Sequence, residues 1–229
     1  MTIGQVSEKR RKWCSLRQYG LLKAVVNVAL TLALMTSASS LSAGQGQTVL
    51  MIGDSLTAGL GLSRDQSIPV RLEAALKEQG INARIINAGV SGDTSAGGRS
   101  RLQWALSDKP DVVIIELGAN DGLRGLDPEA TYENLDAMIN DAKRAGTRVL
   151  LAGMKAPPNL GSEYGGEFNR VFPALASKHG VALMPFFLEG VAAVPDLNQD
   201  DAIHPNEKGV DVIVQNLLPH VRQMLRKID

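Results

Sequence analysis

The chain has 229 residues, 44% of them apolar and 21% charged, with 23 Gly and 10 Pro, a length and composition that fit one soluble globular domain and exclude collagen-like and disordered chains. Formal net charge is zero, yet residues 1–43 hold six basic side chains (Lys9, Arg10, Arg11, Lys12, Arg17, Lys23) against Glu8 alone, which leaves residues 44–229 with 18 basic and 23 acidic groups, a net charge of −5. A body of that sign, with no basic patch along it, repels polyanions and disfavours nucleic acid as a partner.

Residues 1–43 read as an export signal: a basic stretch, an apolar run over residues 24–35, then small residues through Ser42 and Ala43. The 12 residues of that run fall short of the about 20 that span a bilayer. Cleavage near Ala43 is therefore expected, giving an exported, periplasmic or secreted domain over residues 44–229 with no stable membrane insertion. An uncleaved anchor or a later start codon is the alternative, since the basic stretch is long, Asn27 interrupts the apolar run and Leu41 stands at the −3 position. Arg10-Arg11 alone is a weak twin-arginine signal. The only cysteine, Cys14, lies in this segment, so the domain holds no disulfide, no thiolate nucleophile and no cysteine-ligated metal.

From Thr48 onward short apolar runs alternate with amphipathic segments, the pattern of βα units in a parallel sheet. The first strand is predicted over residues 48–52 and runs into Gly53-Asp54-Ser55-Leu56-Thr57-Ala58-Gly59. A serine at a strand-to-helix turn presents its oxygen to the crevice and its N–H to an anion, which makes Ser55 a candidate nucleophile; the same residues also make an ordinary turn or helix cap. Thr57 stands where the α/β-hydrolase nucleophile elbow needs glycine, and no Gly-Lys-Ser/Thr follows, which removes that elbow and a phosphate loop. A helix with Ile68, Leu72, Ala75 and Leu76 on one face comes next, then a second strand over 83–87 and Asn87-Ala88-Gly89-Val90-Ser91-Gly92-Asp93-Thr94. The third strand, 111–117, contains Val112-Val113-Ile114-Ile115, apolar on both faces and therefore central; Gly118-Ala119-Asn120-Asp121 follows it.

The next helix carries Tyr132, Leu135, Met138, Ile139 and Ala142, with Asp127-Pro128 as cap and first turn and Gly146 as its stop. A fourth strand over 147–153, a helix with Phe168, Val171, Phe172 and Leu175, and a fifth strand over 181–185 complete the alternation. The last helix is expected to begin at Pro205 and to bury Val210, Ile213, Leu217, Val221 and Met224. Together these elements predict a flavodoxin-like three-layer α/β/α sandwich around a five-stranded parallel sheet of order 2-1-3-4-5. Such sheets bind ligands at the carboxyl ends of their strands, where the order reverses.

That order sets the first strand between the second and third, so the segments carrying Ser55, Gly92 and Asn120 become neighbours. The backbone N–H groups of Ser55 and Gly92 and the side-chain amide of Asn120 are candidate oxyanion donors, each worth about 3–4 kcal/mol by removal. Taken singly, Gly92 reads as a turn glycine and Asn120 as a loop cap. A base is available in Asp200-Asp201-Ala202-Ile203-His204-Pro205-Asn206, because imidazole titrates near neutrality. Asp201 can turn back to the other ring nitrogen of His204 and fix its tautomer, with Asp200 as the alternative. His179 and His220 read as capping or solvent-facing, and three histidines without paired ligand spacing disfavour a metal site.

The four blocks Gly53-Asp54-Ser55-Leu56, Gly92-Asp93-Thr94, Gly118-Ala119-Asn120-Asp121 and Asp201-Ala202-Ile203-His204-Pro205 resemble those of the SGNH, or GDSL, hydrolase family, over about residues 47–226. Ser91-Gly92-Asp93-Thr94-Ser95, Asp200-Asp201-Ala202-Ile203-His204-Pro205-Asn206 and Met184-Pro185-Phe186-Phe187 are similar to those of the family's exported bacterial thioesterase/lysophospholipase/arylesterase branch. The resemblance implies a Ser55-His204-Asp201 triad, no cofactor, and small-molecule ester or lipid substrates: acyl and aryl esters, thioesters and lysophospholipids. The loop Lys155-Ala156-Pro157-Pro158-Asn159-Leu160-Gly161 resembles the branch's substrate-binding loop in part. Asp54, Met154, Pro157 and Leu160 are the candidate substrate-binding residues, in a crevice bordered also by Leu60, Leu62 and Pro158. A carbohydrate O-deacetylase on the same site is the alternative enzyme, and a noncatalytic lipid- or glycan-binding envelope protein the alternative of another class.

Overall fold

Continuous apolar runs with no polar face can be satisfied only by burial on both sides, and three of them, at residues 49–52, 112–115 and 149–152, form the middle of one five-stranded parallel sheet. In the computed structural model, which describes residues 46–226, its strands are β1 (Gln47–Gly53), β2 (Ala83–Gly89), β3 (Val112–Glu116), β4 (Arg148–Ala152) and β5 (Ala182–Met184). Their order is β2-β1-β3-β4-β5. The export signal expected in residues 1–43, with its cleavage near Ala43, lies outside the described residues.

The helices are α1 (Ser55–Ala58), α2 (Ile68–Glu78), α3 (Ser95–Ala105), α4 (Ala119–Leu123), α5 (Pro128–Arg144), α6 (Ser162–His179) and α7 (Glu207–Leu225). One layer is built from α2 against α7, and the other from α3, α5 and α6 packed in series. Between them β3 is wholly buried, and the apolar stripes of α2, α5, α6 and α7 close the core around it. Asp127 caps α5 by accepting the Glu129 N–H, with Pro128 in the first turn and Lys143 and Arg144 in the last, charges that oppose the helix dipole. Among the described residues no helix is long and apolar enough to cross a membrane.

Two features differ from the sequence reading. Helix α3 was not anticipated, because Gly97 and Gly98 interrupt it and it buries only Ser95, Gly98, Leu102 and Ala105; its start is set by Thr94, whose hydroxyl accepts the Gly97 N–H. Helix α7 begins at Glu207 rather than at Pro205, with Asn206 as its cap accepting from Gly209. Pro205 instead pairs with Asn198 in an isolated antiparallel bridge that closes the loop ahead of the helix.

The register decides what can meet at the sheet's carboxyl edge. Gly53 at the end of β1 pairs with Gly89 on one side and Glu116 on the other. The chain leaves all three strands at the same height, which brings the segments beginning at Asp54, Val90 and Leu117 together.

Candidate active site

Ser55 is the first residue of α1, and Asp54 is its cap, accepting the Leu56 N–H at 3.0 Å. The turn is tight enough that a Cβ on Gly53 would collide with Thr57 Oγ1 and Glu116 Oε2, so only glycine fits there. The Ser55 side chain is nearly enclosed, and its N–H, in the first turn of a helix, has no intrahelical acceptor.

Its hydroxyl meets an imidazole from the far end of the chain: Ser55 Oγ lies 2.8 Å from His204 Nε2. On the other side of the ring, Nδ1 lies 2.6 Å from Asp201 Oδ2, while Asp201 Oδ1 accepts the N–H groups of Ile203 and His204, both at 2.9 Å. These backbone bonds, with the bond to the ring, hold the Asp201 carboxyl down at about 2. It is therefore ionised wherever the imidazole works. Asp200 is exposed and makes no bond to the ring, whose partner is Asp201. To fold back in three residues the loop takes Ala202 through φ 60, a conformation non-glycine residues adopt at a cost. Gln199 holds the loop in place: its amide donates to Leu60 O at 2.8 Å and Pro205 O at 2.9 Å, tying the His204 loop to the segment after Ser55.

The second wall is the turn after β2. Gly92 has φ 84, the turn is closed by Asp93 N–H to Val90 O at 3.1 Å, and the Gly92 N–H has no acceptor among the described residues. One guanidinium organises this wall. Arg101 donates to Asp93 Oδ2 at 2.6 Å, Ala88 O at 2.6 Å and Gly53 O at 2.9 Å, so it links the ends of β1 and β2 to the Gly92 turn. The third wall is α4, where Asn120 Nδ2 donates to Asp54 Oδ2 at 3.1 Å. Asp121 anchors that helix by accepting Ser95 N–H at 2.8 Å, Ser95 Oγ at 2.5 Å and Thr131 Oγ1 at 3.2 Å.

Of the four residues expected to bind substrate, two face elsewhere. Asp54 is 1% exposed, with its oxygens committed to Leu56 and Asn120, because a helix cap points its carboxylate along the helix and not into the crevice. Met154 is 3% exposed and belongs to the core. Pro157 and Leu160 remain half-buried on the surface, and Leu160 lies against Gly125 in the loop after α4. Among the described residues eight large apolar side chains are exposed, and five of them, Leu60, Val90, Leu123, Leu126 and Ile203, sit on the four segments that carry Ser55, Gly92, Asn120 and His204. The segments that build the site thus carry exposed apolar side chains beside the exposed Arg124, Asp200 and Asp201. His179, read as capping or solvent-facing, is neither: its ring is enclosed and bonded to Asp136 Oδ1 at 2.6 Å, and the helix is capped by Gly180. His220 is half-buried on α7.

Sequence reasoning passed over Arg101, Gln199 and Glu116. Glu116 ends an apolar strand and is fully buried; Oε2 accepts from Thr57 Oγ1 at 2.7 Å, and Oε1 has no partner among the described residues. Burial, reinforced by the adjacent Asp54 carboxylate, pushes the Glu116 carboxyl well above its ordinary value. An acid that holds its proton in the fold and releases it on unfolding makes stability fall as pH rises above the unfolded value of 4.5. Glu116→Gln removes that slope: urea melts are expected to show the variant gaining on the wild type from pH 5 to pH 8, by at most about 1.4 kcal/mol per pH unit. Parallel pH–stability curves would mean that Glu116 ionises alike in both states.

No group of three or more His, Cys, Asp or Glu side chains stands at metal-binding spacing among the described residues. Residues 51–212 match the GDSL-like Lipase/Acylhydrolase family. The chain is 42% identical over 197 residues to the esterase TesA of Pseudomonas aeruginosa, covering 86% of this chain and 96% of that relative. It is 39% identical over 165 residues to the thioesterase 1/protease 1/lysophospholipase L1 of Escherichia coli (strain K12), covering 72% of this chain and 78% of that one. The crystal structure of AlinE4, an SGNH-hydrolase family esterase, matches with a TM-score of 0.68 at 48% identity, over 81% of this chain and 100% of the other. A hydroxyl bonded to a carboxylate-backed imidazole on this sheet edge, together with these likenesses, places the chain in the GDSL-like lipase/acylhydrolase family, as a carboxylic ester hydrolase.

Proposed function

We propose that the chain is a serine esterase that cleaves acyl and aryl esters, thioesters and lysophospholipids through an acyl-enzyme on Ser55. The observation that carries this reading is the unbroken line from Asp201 Oδ2 through the His204 ring to Ser55 Oγ, at 2.6 and 2.8 Å, across 149 residues of sequence. His204 Nε2 takes the hydroxyl proton as Ser55 Oγ attacks the substrate carbonyl carbon. The carbonyl oxygen becomes an oxyanion, received by the N–H groups of Ser55 and Gly92 and the amide of Asn120. His204 then gives the proton to the departing alcohol or thiol. Water, deprotonated by the same ring, attacks the acyl carbon, and the ring returns that proton to Ser55 Oγ as the acid departs. The balanced chemistry needs no cofactor.

The exposed apolar side chains on these segments support a substrate with an acyl chain or aryl ring over an acetylated sugar, and the E. coli relative's name includes thioesterase and lysophospholipase. A turnover panel tests this: p-nitrophenyl esters of increasing length, acyl-CoA and a lysophospholipid are expected to be hydrolysed, and acetylated xylan poorly. A preference for the xylan would replace this reading with an O-deacetylase. Leu160→Asp puts a charge where the chain would lie and is expected to lower kcat/KM for decanoyl esters about 10-fold or more while acetyl esters change little, since burying methylenes is worth about 0.8 kcal/mol each. Equal losses would remove Leu160 from the acyl site. The signal read in residues 1–43 supports action outside the cytoplasm; the intact mass of the exported product reads the cleavage site.

A further inference from the structure

A primary amide is nearly symmetric in shape and opposite in polarity at its two ends, so an oxyanion hole that uses one must prevent it from turning over. Turned the wrong way, Asn120 would offer Oδ1 to the oxyanion and repel it. At its present position the amide meets one strongly discriminating group. Asp54 Oδ2 accepts from Asn120 Nδ2 at 3.1 Å, and an ionised carboxylate accepts only, so it admits the nitrogen and rejects the oxygen. Asp54 is itself immobile: it is 1% exposed, and Oδ1 is occupied by the Leu56 N–H at 3.0 Å.

We propose that Asp54 is the positioning residue of the oxyanion hole: its carboxylate holds one amide hydrogen of Asn120 and thereby directs the other to the developing oxyanion. The proposal rests on the esterase reading above and adds a residue to it. Two adjacent buried carboxyls cannot both ionise cheaply. Glu116 is the more deeply buried of the pair, with one oxygen unpartnered, and takes the proton; Asp54 has Leu56, Asn120 and the nearby His204 to favour its ionised form. The titratable groups facing Asp54 are Glu116 from β3, Asp121 from α4 and His204 from the loop before α7. Burial, against these hydrogen bonds, pushes the Asp54 carboxyl up to about 6. Below that pH it gains a proton, ceases to discriminate between the ends of the amide, and the hole loses its Asn120 donor.

Asp54→Asn is the discriminating change. Asparagine has one acceptor oxygen where the carboxylate has two, so it can satisfy Leu56 or Asn120 but not both. With p-nitrophenyl butyrate at pH 8, Asp54→Asn is expected to lower kcat about 10- to 100-fold with KM within about 3-fold, and Asn120→Ala about 10²- to 10³-fold. The double variant is expected within about 3-fold of Asn120→Ala, because both changes remove the same donor. Thermal melts of all three identify any variant that fails to fold. A second readout needs no change at Asp54: the acid limb of log kcat against pH is expected to have a slope of about 2 in the wild type and about 1 in Asn120→Ala. Losses that multiply, a wild-type kcat in Asp54→Asn, or equal acid-limb slopes overturn the proposal. Full activity of Asn120→Ala would instead overturn the oxyanion assignment in the esterase reading, and is told apart by that single variant.

Discussion

Ser55→Ala is expected to lower kcat by about 10⁵- to 10⁶-fold on every ester the wild type hydrolyses, with the thermal melt little changed. Among the described residues the side chain bonds to His204, and α1 is started by Asp54 and not by Ser55, so little of the fold depends on the hydroxyl. His204→Ala is expected to cost about the same, and the double variant no more than either single one, because nucleophile and base act as a unit. Each variant retains the donors at Gly92 and Asn120, which sets a residual rate above that of water. A Ser55→Ala enzyme with more than about 1% of wild-type kcat, far above any residue left by the donors, would place the nucleophile elsewhere. Losses that multiply between Ser55 and His204 would show the two acting in separate steps.

The second large effect is expected at Asp201. Asp201→Asn keeps the oxygen that accepts the Ile203 and His204 N–H groups, both at 2.9 Å, so the loop keeps its shape. What changes is the contact at 2.6 Å to Nδ1, where an amide nitrogen now donates. The ring must then carry its hydrogen on Nε2, where it faces the Ser55 hydroxyl as a donor and cannot take its proton. A fall in kcat of about 10⁴-fold with little change in KM is expected. A loss below 10-fold, or one confined to KM, would mean that Asp201 only shapes the loop. The charge also acts on stability. A carboxyl lowered to about 2 in the fold contributes stability above its unfolded value of 3.8, and that contribution is lost as pH falls through about 2.

The three central strands were legible because a strand buried on both faces leaves an uninterrupted apolar run, and Val112-Val113-Ile114-Ile115 can be little else. The strand order then brought Ser55, Gly92 and Asn120 to one edge, and a histidine three residues after an aspartate supplied the base. Helix α3 was hidden by Gly97 and Gly98, which weaken the periodic signal that marks a helix. Which way a side chain leaves a turn was also hidden. Asp54 adjoins the nucleophile in sequence yet points into the protein, and Met154, one residue past a strand end, turns into the core. Glu116 was passed over because it lies inside a strand whose pattern explains its neighbours, and Arg101 because it lies in the hidden helix; only the register of β1 with β2 and β3 shows that they hold the site together.

Labelling with a fluorophosphonate followed by peptide mass mapping tests the central claim most directly, because the reagent reacts only with a hydroxyl that a neighbouring base has activated. The account predicts one phosphonyl group per chain on the peptide that contains Ser55, none on Ser55→Ala, and labelling slowed about 10²-fold or more in His204→Ala. An adduct on another residue, or a folded and hydrolytically active protein that takes no label, would contradict it.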